Sequence, residues 1–165
     1  MTLRIIIMGV SGCGKSTVGA ALADRLGIPY RDGDDLHPAQ NVEKMRAGIP
    51  LDDKDRAPWL DLVADALMTN APVIVGCSAL RRSYRDRIRA GAGGKVHFVH
   101  LAGDQNLIAS RMASRTGHYM PPQLLDSQFA TLEAPGPDEA LTVSIDQTLD
   151  AMVDAIVAGI AGARA

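Results

Sequence analysis

The chain has 165 residues, of which 47% are hydrophobic and 22% are charged, and its formal net charge is −2. This length is typical of one globular domain, so we expect a single domain over residues 1–165. The slightly negative charge argues against a general nucleic-acid binder, which needs an excess of basic residues to face the phosphates. No run approaches the ~20 apolar residues that cross a bilayer, so no membrane partner is expected.

The first apolar run, from Leu3 to Val10, is too short for a secretory signal and has the wrong flanks. We therefore expect a cytoplasmic protein. Its two cysteines, Cys13 and Cys77, are predicted to be free thiols in a reducing compartment. Local clusters of arginine in a nearly neutral chain favour a small anionic ligand over a long polyanion.

Short apolar runs alternate with longer helical patterns along the whole chain. The runs predicted as strands are residues 3–8, 28–31, 72–77, 96–101 and 141–145. The patterns predicted as helices are residues 15–26, 38–47, 80–90 and 104–114, a helix that starts at Pro58, and a last helix that includes residues 149–160. Continuous apolar strands between helices predict an α/β fold, in which helices cover both faces of a parallel sheet. Ligands in such sheets bind beyond the carboxyl ends of the strands.

A glycine-rich turn joins the first predicted strand to the first predicted helix and fits the P-loop pattern G-x-x-x-x-G-K-[ST] in full. Such a loop curls so that successive backbone N–H groups face phosphate oxygens at the start of a helix. Lys15 is predicted to reach the β and γ phosphates as a catalytic residue, and the Ser16 hydroxyl is placed to bind Mg²⁺. A chance glycine-rich turn is the alternative. The residues predicted to bind ATP here are Gly9, Val10, Ser11, Gly12, Cys13, Gly14, Lys15, Ser16 and Thr17.

Cys13 occupies a variable position of the loop. The start of a helix can lower the pKa of a thiol, so one hypothesis is a reactive cysteine when nucleotide is absent. The other is a small residue that simply fits.

Two absent motifs separate the classes of P-loop protein. The chain has no Asn-Lys-x-Asp sequence of the kind that reads guanine, and its third strand does not end in the Asp of a typical Walker B motif. The length suits one ATP site and one site for a small substrate. These features favour a small-molecule kinase over a GTPase or a mechanical ATPase.

Two carboxylates, Asp32 and Asp34, follow the second predicted strand with Gly33 between them. Beside a P-loop they can divide the work. Asp32 would hold water on Mg²⁺, while Asp34 would orient or deprotonate the attacking hydroxyl. A solvated acidic turn is the alternative, since Asp-Gly pairs are common in turns.

The chain closely resembles the thermoresistant-type gluconate kinases, in order and through almost its whole length. The segments that carry the resemblance are residues 32–38, 41–45, 48–60, 77–86, 117–119, 128–133 and 146–147. The resemblance implies a three-layer fold of the nucleoside-monophosphate-kinase type, with sheet order 2-3-1-4-5 and a small lid near residues 115–125. It also implies ATP-dependent phosphorylation of D-gluconate to 6-phosphogluconate, and a possible homodimer.

Gluconate is a small monoanion covered in hydroxyls, so its site needs a cation and several polar groups. The candidate substrate-binding residues are Asp34, His37, Arg56, Arg82 and Arg85. For Arg82 and Arg85, which lie on the predicted basic helix, the alternative is that they simply form a solvated helix face. For His37, the alternative is a capping or core role. Trp59 is assigned to the core.

The remaining candidates lie near the predicted lid and the nucleotide. Arg111 and Arg115 lie four residues apart and would share a helix face, where Arg115 is a candidate to stabilise the transferring phosphoryl group. A structural role at the helix C-terminus, where cations are favoured, is the alternative. The resemblance adds Gln147 to the candidate nucleotide-binding residues, and the candidate metal ligands are Ser16 and Asp32.

Two rival functions stay open from the residues alone. One is a related kinase with another acceptor, such as shikimate or a nucleoside monophosphate. The other is a nucleotide-dependent binding or switch protein with a degenerate acceptor site, which no small acceptor would stimulate.

Overall fold

Five parallel strands form one sheet in the order β2-β3-β1-β4-β5. A computed structural model describes residues 2–113 and 122–164 of the chain. The strands are β1 (Arg4–Met8), β2 (Tyr30–Asp32), β3 (Val73–Gly76), β4 (His97–Ala102) and β5 (Ala140–Ser144). Every neighbouring pair is parallel. The predicted α/β class, the parallel sheet and its order are confirmed.

Helices connect the strands and cover both faces of the sheet. They are α1 (Lys15–Leu26), α2 (Ala39–Arg46), α3 (Asp53–Asn70), α4 (Arg82–Gly91), α5 (Gln105–Ala113), α6 (Pro122–Thr131) and α7 (Leu149–Arg164), with a short 3-10 helix at Gly33–Leu36. None of the helices in the described part of the chain is long and apolar enough to span a bilayer.

The alternation of side chains along β1 shows why the sheet has two covered faces. Ile5 and Ile7 pack in a core with α1 and α7, whereas Ile6 and Met8 pack in a second core with α3 and α4. All four side chains are buried. Burying a large aliphatic side chain contributes about 1.5–3 kcal/mol, so β1 anchors the loop that follows it.

Two helices differ from the prediction. Helix α3 starts five residues before Pro58, because Asp52 and Asp55 form a reciprocal capping box in which each carboxylate accepts the other residue's backbone N–H. Helix α6 was not predicted at all. The spacing of Leu125, Phe129 and Leu132, which pack against the core, is the helical signal that could have revealed it.

Candidate active site

The P-loop follows β1 with the backbone geometry that phosphate binding needs. Gly9, Gly12 and Gly14 have φ angles of 149°, 83° and 98°, values that side-chain-bearing residues rarely adopt. The first bond of the α1 ladder runs from the Val18 N–H to the Gly14 carbonyl, at 2.9 Å. The backbone N–H groups of the first turn lie ahead of it and can therefore meet an anion.

Lys15 curls back over the loop. Its ammonium group donates to the carbonyls of Gly9 and Val10, at 2.9 and 3.1 Å. These bonds hold a positive charge above the loop, where phosphate oxygens can replace the carbonyls as acceptors.

Helix α6 is tied to the P-loop by a residue that the sequence analysis did not select. The Ser11 N–H donates to Gln128 Oε1 at 2.6 Å, and Gln128 Nε2 donates to Ser11 Oγ at 2.8 Å. Gln128 lies in one of the segments that resemble the gluconate kinases, which is the signal that could have identified it.

Cys13 is buried beneath the loop. Burial raises the pKa of its thiol, outweighing the opposing effects of Lys15 and of backbone hydrogen bonds. Because the thiolate is the reactive form, the hypothesis of a reactive Cys13 is wrong for this conformation, and the small residue that fits is the better description. The thiol would collide with a side chain at position 9, so it helps to shape the loop.

The acidic turn after β2 is held in place from two sides. Asp32 accepts the Asp34 N–H at 2.9 Å, which caps the 3-10 helix. The indole N–H of Trp59 donates to the Gly33 carbonyl at 2.8 Å. Gly33 also packs against the Gly76 carbonyl at the end of β3, where no side chain would fit. Trp59 is in the core as predicted, and it also fixes this turn.

Asp34 has an electrostatic environment suited to a base. Its side chain is reachable from solvent, yet desolvation by the surrounding protein is the largest cause that raises its pKa. The neighbouring charge of Asp32 raises the pKa further, while Lys15 and His37 oppose the shift. A carboxylate with a raised pKa is a better proton acceptor than an ordinary aspartate.

His37 lies directly beside Asp34 in this site. Its ring stacks on Trp59 with the centroids 4.3 Å apart and the planes 12° apart. Burial lowers the pKa of His37; Asp34 opposes this effect and Arg56 adds to it. Asp34 and Arg56 therefore both act electrostatically on His37, and we call these three residues the acceptor cluster.

The cationic side of the cluster is organised around Tyr84. Arg56 donates to the Tyr84 hydroxyl at 3.2 Å, and that hydroxyl donates to Asp53 at 2.7 Å. Burial is the main cause that raises the Tyr84 pKa, and the charges of Arg56 and Arg81 oppose it. Arg81, which is exposed and precedes α4, is thus close enough to Tyr84 to act on it electrostatically. The sequence analysis did not select Arg81 as a site residue.

Arg85 does not belong to the acceptor cluster. It is 1% exposed, and all five donors of its guanidinium have acceptors. These acceptors are the Glu139 carboxylate and the carbonyls of Ala79, Leu80 and Glu133. These bonds argue against the prediction that Arg85 binds substrate, because binding would break a complete set of buried bonds. Arg85 instead braces the loop after β3, where Ala79 has a left-handed φ of 46°.

Arg82 lies in a different part of the surface. It lines a groove of about 410 Å³ together with Asp86, Arg89 and Lys95. Lys95 precedes β4, so this groove lies towards the amino end of that strand rather than at the carboxyl ends that carry the P-loop and the acidic turn. The residues that line this groove include none of the acceptor cluster.

Two predicted nucleotide-binding residues, Arg111 and Gln147, each donate a hydrogen bond to a backbone carbonyl at the end of β5 or just after it. Arg111, in the last turn of α5, donates to the Ile145 carbonyl at 2.8 Å, and Gln147 donates to the Ser144 carbonyl at 2.7 Å. Arg115 lies outside the described residues, as do residues 115–121 of the predicted lid. The remaining lid residues, 122–125, begin α6.

Ser16 and Asp32 offer a hydroxyl and a carboxylate, the hard oxygen donors that Mg²⁺ prefers. Among the described residues no group of three or more His, Cys, Asp or Glu side chains is placed to hold a metal ion. Magnesium in kinases is usually held by one or two protein oxygens together with waters and nucleotide phosphates, so the residues present fit this mode.

Known proteins share this arrangement. A family model described as an AAA domain matches residues 5–135. The thermoresistant gluconokinase of Escherichia coli K12 is 46% identical over 154 residues, covering 90% of this chain and 87% of its own. A probable gluconokinase of Mus musculus is 43% identical and covers 93% of this chain and 95% of its own.

A solved structure agrees with these relatives. The crystal structure of a gluconokinase from Sinorhizobium meliloti 1021 superposes with a TM-score of 0.89 at 48% identity, covering 96% of this chain and 91% of its own. The chain belongs to the gluconokinase family.

Proposed function

We propose that this protein transfers the γ-phosphoryl group of ATP to D-gluconate and releases 6-phospho-D-gluconate and ADP. The observation that carries the proposal is the position of Asp34, whose pKa is raised and which interacts electrostatically with Lys15 of the P-loop on one side and with His37 on the other. A base between a phosphate site and a polar, partly cationic site is the arrangement that a small-molecule kinase needs.

On the nucleotide side, the first-turn N–H groups of α1 and the Lys15 ammonium would bind the β and γ phosphates. Arg111 and Gln147 lie together at the loop after β5, and we assign them to the rest of the nucleotide. Ser16 and Asp32 would hold Mg²⁺, which when bound neutralises charge on the phosphates.

On the acceptor side, the charges of Arg56 and Arg81 both act on Tyr84, and we assign the gluconate carboxylate to these two arginines. Asp34 and His37 would bind hydroxyl groups. The rigid base of the site supports this assignment, because Trp59 holds both the acidic turn and the His37 ring.

In the chemical step, Asp34 accepts the proton of the attacking hydroxyl as that oxygen bonds to the γ-phosphorus. The bond from the γ-phosphorus to its bridging oxygen breaks, and ADP leaves with that oxygen. Lys15 stabilises the negative charge that develops on the phosphoryl group. We assign Arg115 the same task from a lid over residues 115–125, whose closure would exclude water as a competing acceptor.

Two broader expectations accompany this function. The resemblance to the gluconate kinases supports a homodimer, and a cytoplasmic location stays a prediction. Sedimentation of the purified protein at micromolar concentration tests the first: a single species with the mass of one chain would contradict it.

The test of the function is ADP release by the purified protein with Mg-ATP, with and without D-gluconate, and with shikimate and AMP in parallel. We expect gluconate alone to stimulate the release strongly. Stimulation by another acceptor would retain a kinase but reject gluconate. If none of the three accelerates slow hydrolysis, the protein would be a nucleotide-dependent binding or switch protein instead.

A further inference from the structure

Asn41 is a buried polar residue of α2 that bridges the acceptor cluster to the start of α3. Its side chain has 0% exposure. Its amide nitrogen lies 2.9 Å from the Asp55 backbone carbonyl and 3.2 Å from Nδ1 of His37. One amide group therefore contacts both a fixed backbone oxygen and one nitrogen of the histidine ring.

The Asp55 carbonyl decides which way the Asn41 amide points. A carbonyl oxygen can only accept, so the atom that faces it must be the NH₂ group of the amide. The carbonyl itself is held firmly, because the Asp55 side chain accepts from Lys44 at 2.9 Å and its backbone N–H donates to Asp52. The orientation of Asn41 follows from these contacts and not from the histidine.

The second N–H of the same amide then meets Nδ1 of His37. A donor at this position requires a lone pair on Nδ1, so the ring proton must be on Nε2. An imidazolium would place an N–H group against the amide N–H and lose the bond. Burial already lowers the pKa of His37, with Asp34 opposing and Arg56 reinforcing the effect, so the charged groups that face the ring do not reverse this preference.

Asn41 is a poor choice if stability alone is considered. Its Oδ1 atom is buried with no hydrogen-bond partner among the described residues. Leaving a polar atom in that state is unfavourable, and an apolar side chain of similar size would avoid it. The contact with His37 is the feature that an apolar residue could not reproduce.

We propose that Asn41 is a positioning residue that holds His37 as the neutral Nε2–H tautomer, so that His37 presents a hydrogen-bond donor to an oxygen of the acceptor substrate. This assignment rests on the proposed function for the identity of the substrate, but not for the tautomer. It divides the work in the acceptor cluster: Nε2 cannot accept the hydroxyl proton, which leaves that task to Asp34.

The tautomer is measured by nitrogen-15 NMR of the histidine rings in the full-length protein. We expect His37 to show the pattern of a proton on Nε2 in the wild type, and mixed tautomers in Asn41→Leu. The Val63→Ala variant is the control, because Val63 is buried in the core on α3 and is not part of the acceptor cluster or of the Asn41 hydrogen bonds. An Nδ1–H or mixed pattern for wild-type His37 overturns the proposal, as does an unchanged His37 spectrum in Asn41→Leu.

Kinetics test the consequence for the substrate. We expect the KM for gluconate to rise roughly tenfold in Asn41→Leu, while the KM for ATP is unchanged and Val63→Ala resembles the wild type. Equal changes in both KM values would indicate a merely structural role and overturn the proposal. If gluconate is not the acceptor, wild-type turnover reveals that failure, whereas the wild-type NMR spectrum still decides the tautomer.

Discussion

Two groups of charged residues have opposite characters in the structure. The acceptor cluster of Asp34, His37 and Arg56 is partly open to solvent, and the charges of Asp34 and Arg56 act in opposite directions on the pKa of His37. The second group, which we call the Arg85 cluster, consists of Arg85, Arg89 and Glu139. There the Arg85 and Glu139 side chains are 1% and 5% exposed, and Glu139 binds both arginines at 2.6 and 2.7 Å.

The difference between the clusters lies in whether their hydrogen bonds are complete. Burial alone would raise the pKa of Glu139, but the bonds and charges of Arg85 and Arg89 lower it to about 2. All donors of Arg85 are used within the protein, so Arg85 has nothing to offer a ligand. A charged residue in a kinase sequence thus indicates a binding site only if the fold leaves its hydrogen-bonding capacity available.

The largest expected effect is in the acceptor cluster. Asp34→Asn should lower turnover with gluconate by about 10²- to 10⁴-fold, because the base is lost, while ATP affinity stays the same. Steady-state kinetics and ATP titration measure these quantities. Asp35→Asn, an exposed neighbour in the same turn, is the control and should keep wild-type turnover. Near-normal turnover in Asp34→Asn would remove Asp34 from the mechanism.

The Arg85 cluster should respond in stability. Arg85→Met leaves Glu139 without its main partner, which should lower the free energy of unfolding by about 3–5 kcal/mol in urea titrations. The KM for gluconate of the remaining folded enzyme should be unchanged. Arg87→Met, which breaks an exposed ion pair on the same helix, should leave the free energy of unfolding nearly unchanged. A large rise in KM without a loss of stability would return Arg85 to the substrate site.

The same cluster predicts a dependence of stability on pH. The folded-state pKa of Glu139 lies below the usual value of 4.5, so its contribution is present above that pH and is lost as the pH falls towards 2. Glu139→Gln should be less stable at neutral pH and lose less on acidification. Parallel acid-unfolding curves for the two proteins would contradict this.

Arg56 should act on gluconate more modestly. Arg56→Gln removes a cation that we assign to the gluconate carboxylate, and a charged hydrogen bond contributes about 1.5–3 kcal/mol, so the KM should rise roughly 10- to 100-fold. Lys54→Gln removes a charge from the exposed first turn of the same helix and is the control. If the KM for gluconate rises equally in the two variants, the general attraction of the anion to positive charge explains the effect, and not a specific contact with Arg56.

The smallest effect is expected at the P-loop. Gln128→Ala loses two hydrogen bonds to Ser11, and we expect the KM for ATP to rise about 3- to 10-fold because the loop is less well fixed. Gln105→Ala breaks a contact between α5 and α6 that does not involve the P-loop, and it should leave this KM unchanged. An unchanged KM for ATP in Gln128→Ala would show that the tie is dispensable.

Local patterns predicted much of this molecule. The strands, the P-loop and the acidic turn depend on apolar runs and short motifs, which are visible within ten or so residues, whereas the strand order was implied by the resemblance to the gluconate kinases. The partners of Arg85 are different, since Glu139 lies 54 residues away and the bond forms only when α4 meets the segment before β5. Gln128 and Ser11 are 117 residues apart, so local sequence patterns did not predict their contact either. Asn41 and His37 are four residues apart, so a contact between them could have been predicted from the sequence. Which of the two side chains donates the hydrogen bond could not.

A crystal structure with gluconate and a non-hydrolysable ATP analogue tests the central claim most directly. We predict a gluconate hydroxyl within about 3 Å of the Asp34 carboxylate, the gluconate carboxylate beside Arg56, and Arg85 still bound to Glu139 and to the carbonyls after β3. Gluconate bound against Arg85 or in the groove lined by Arg82 and Lys95 would contradict the account.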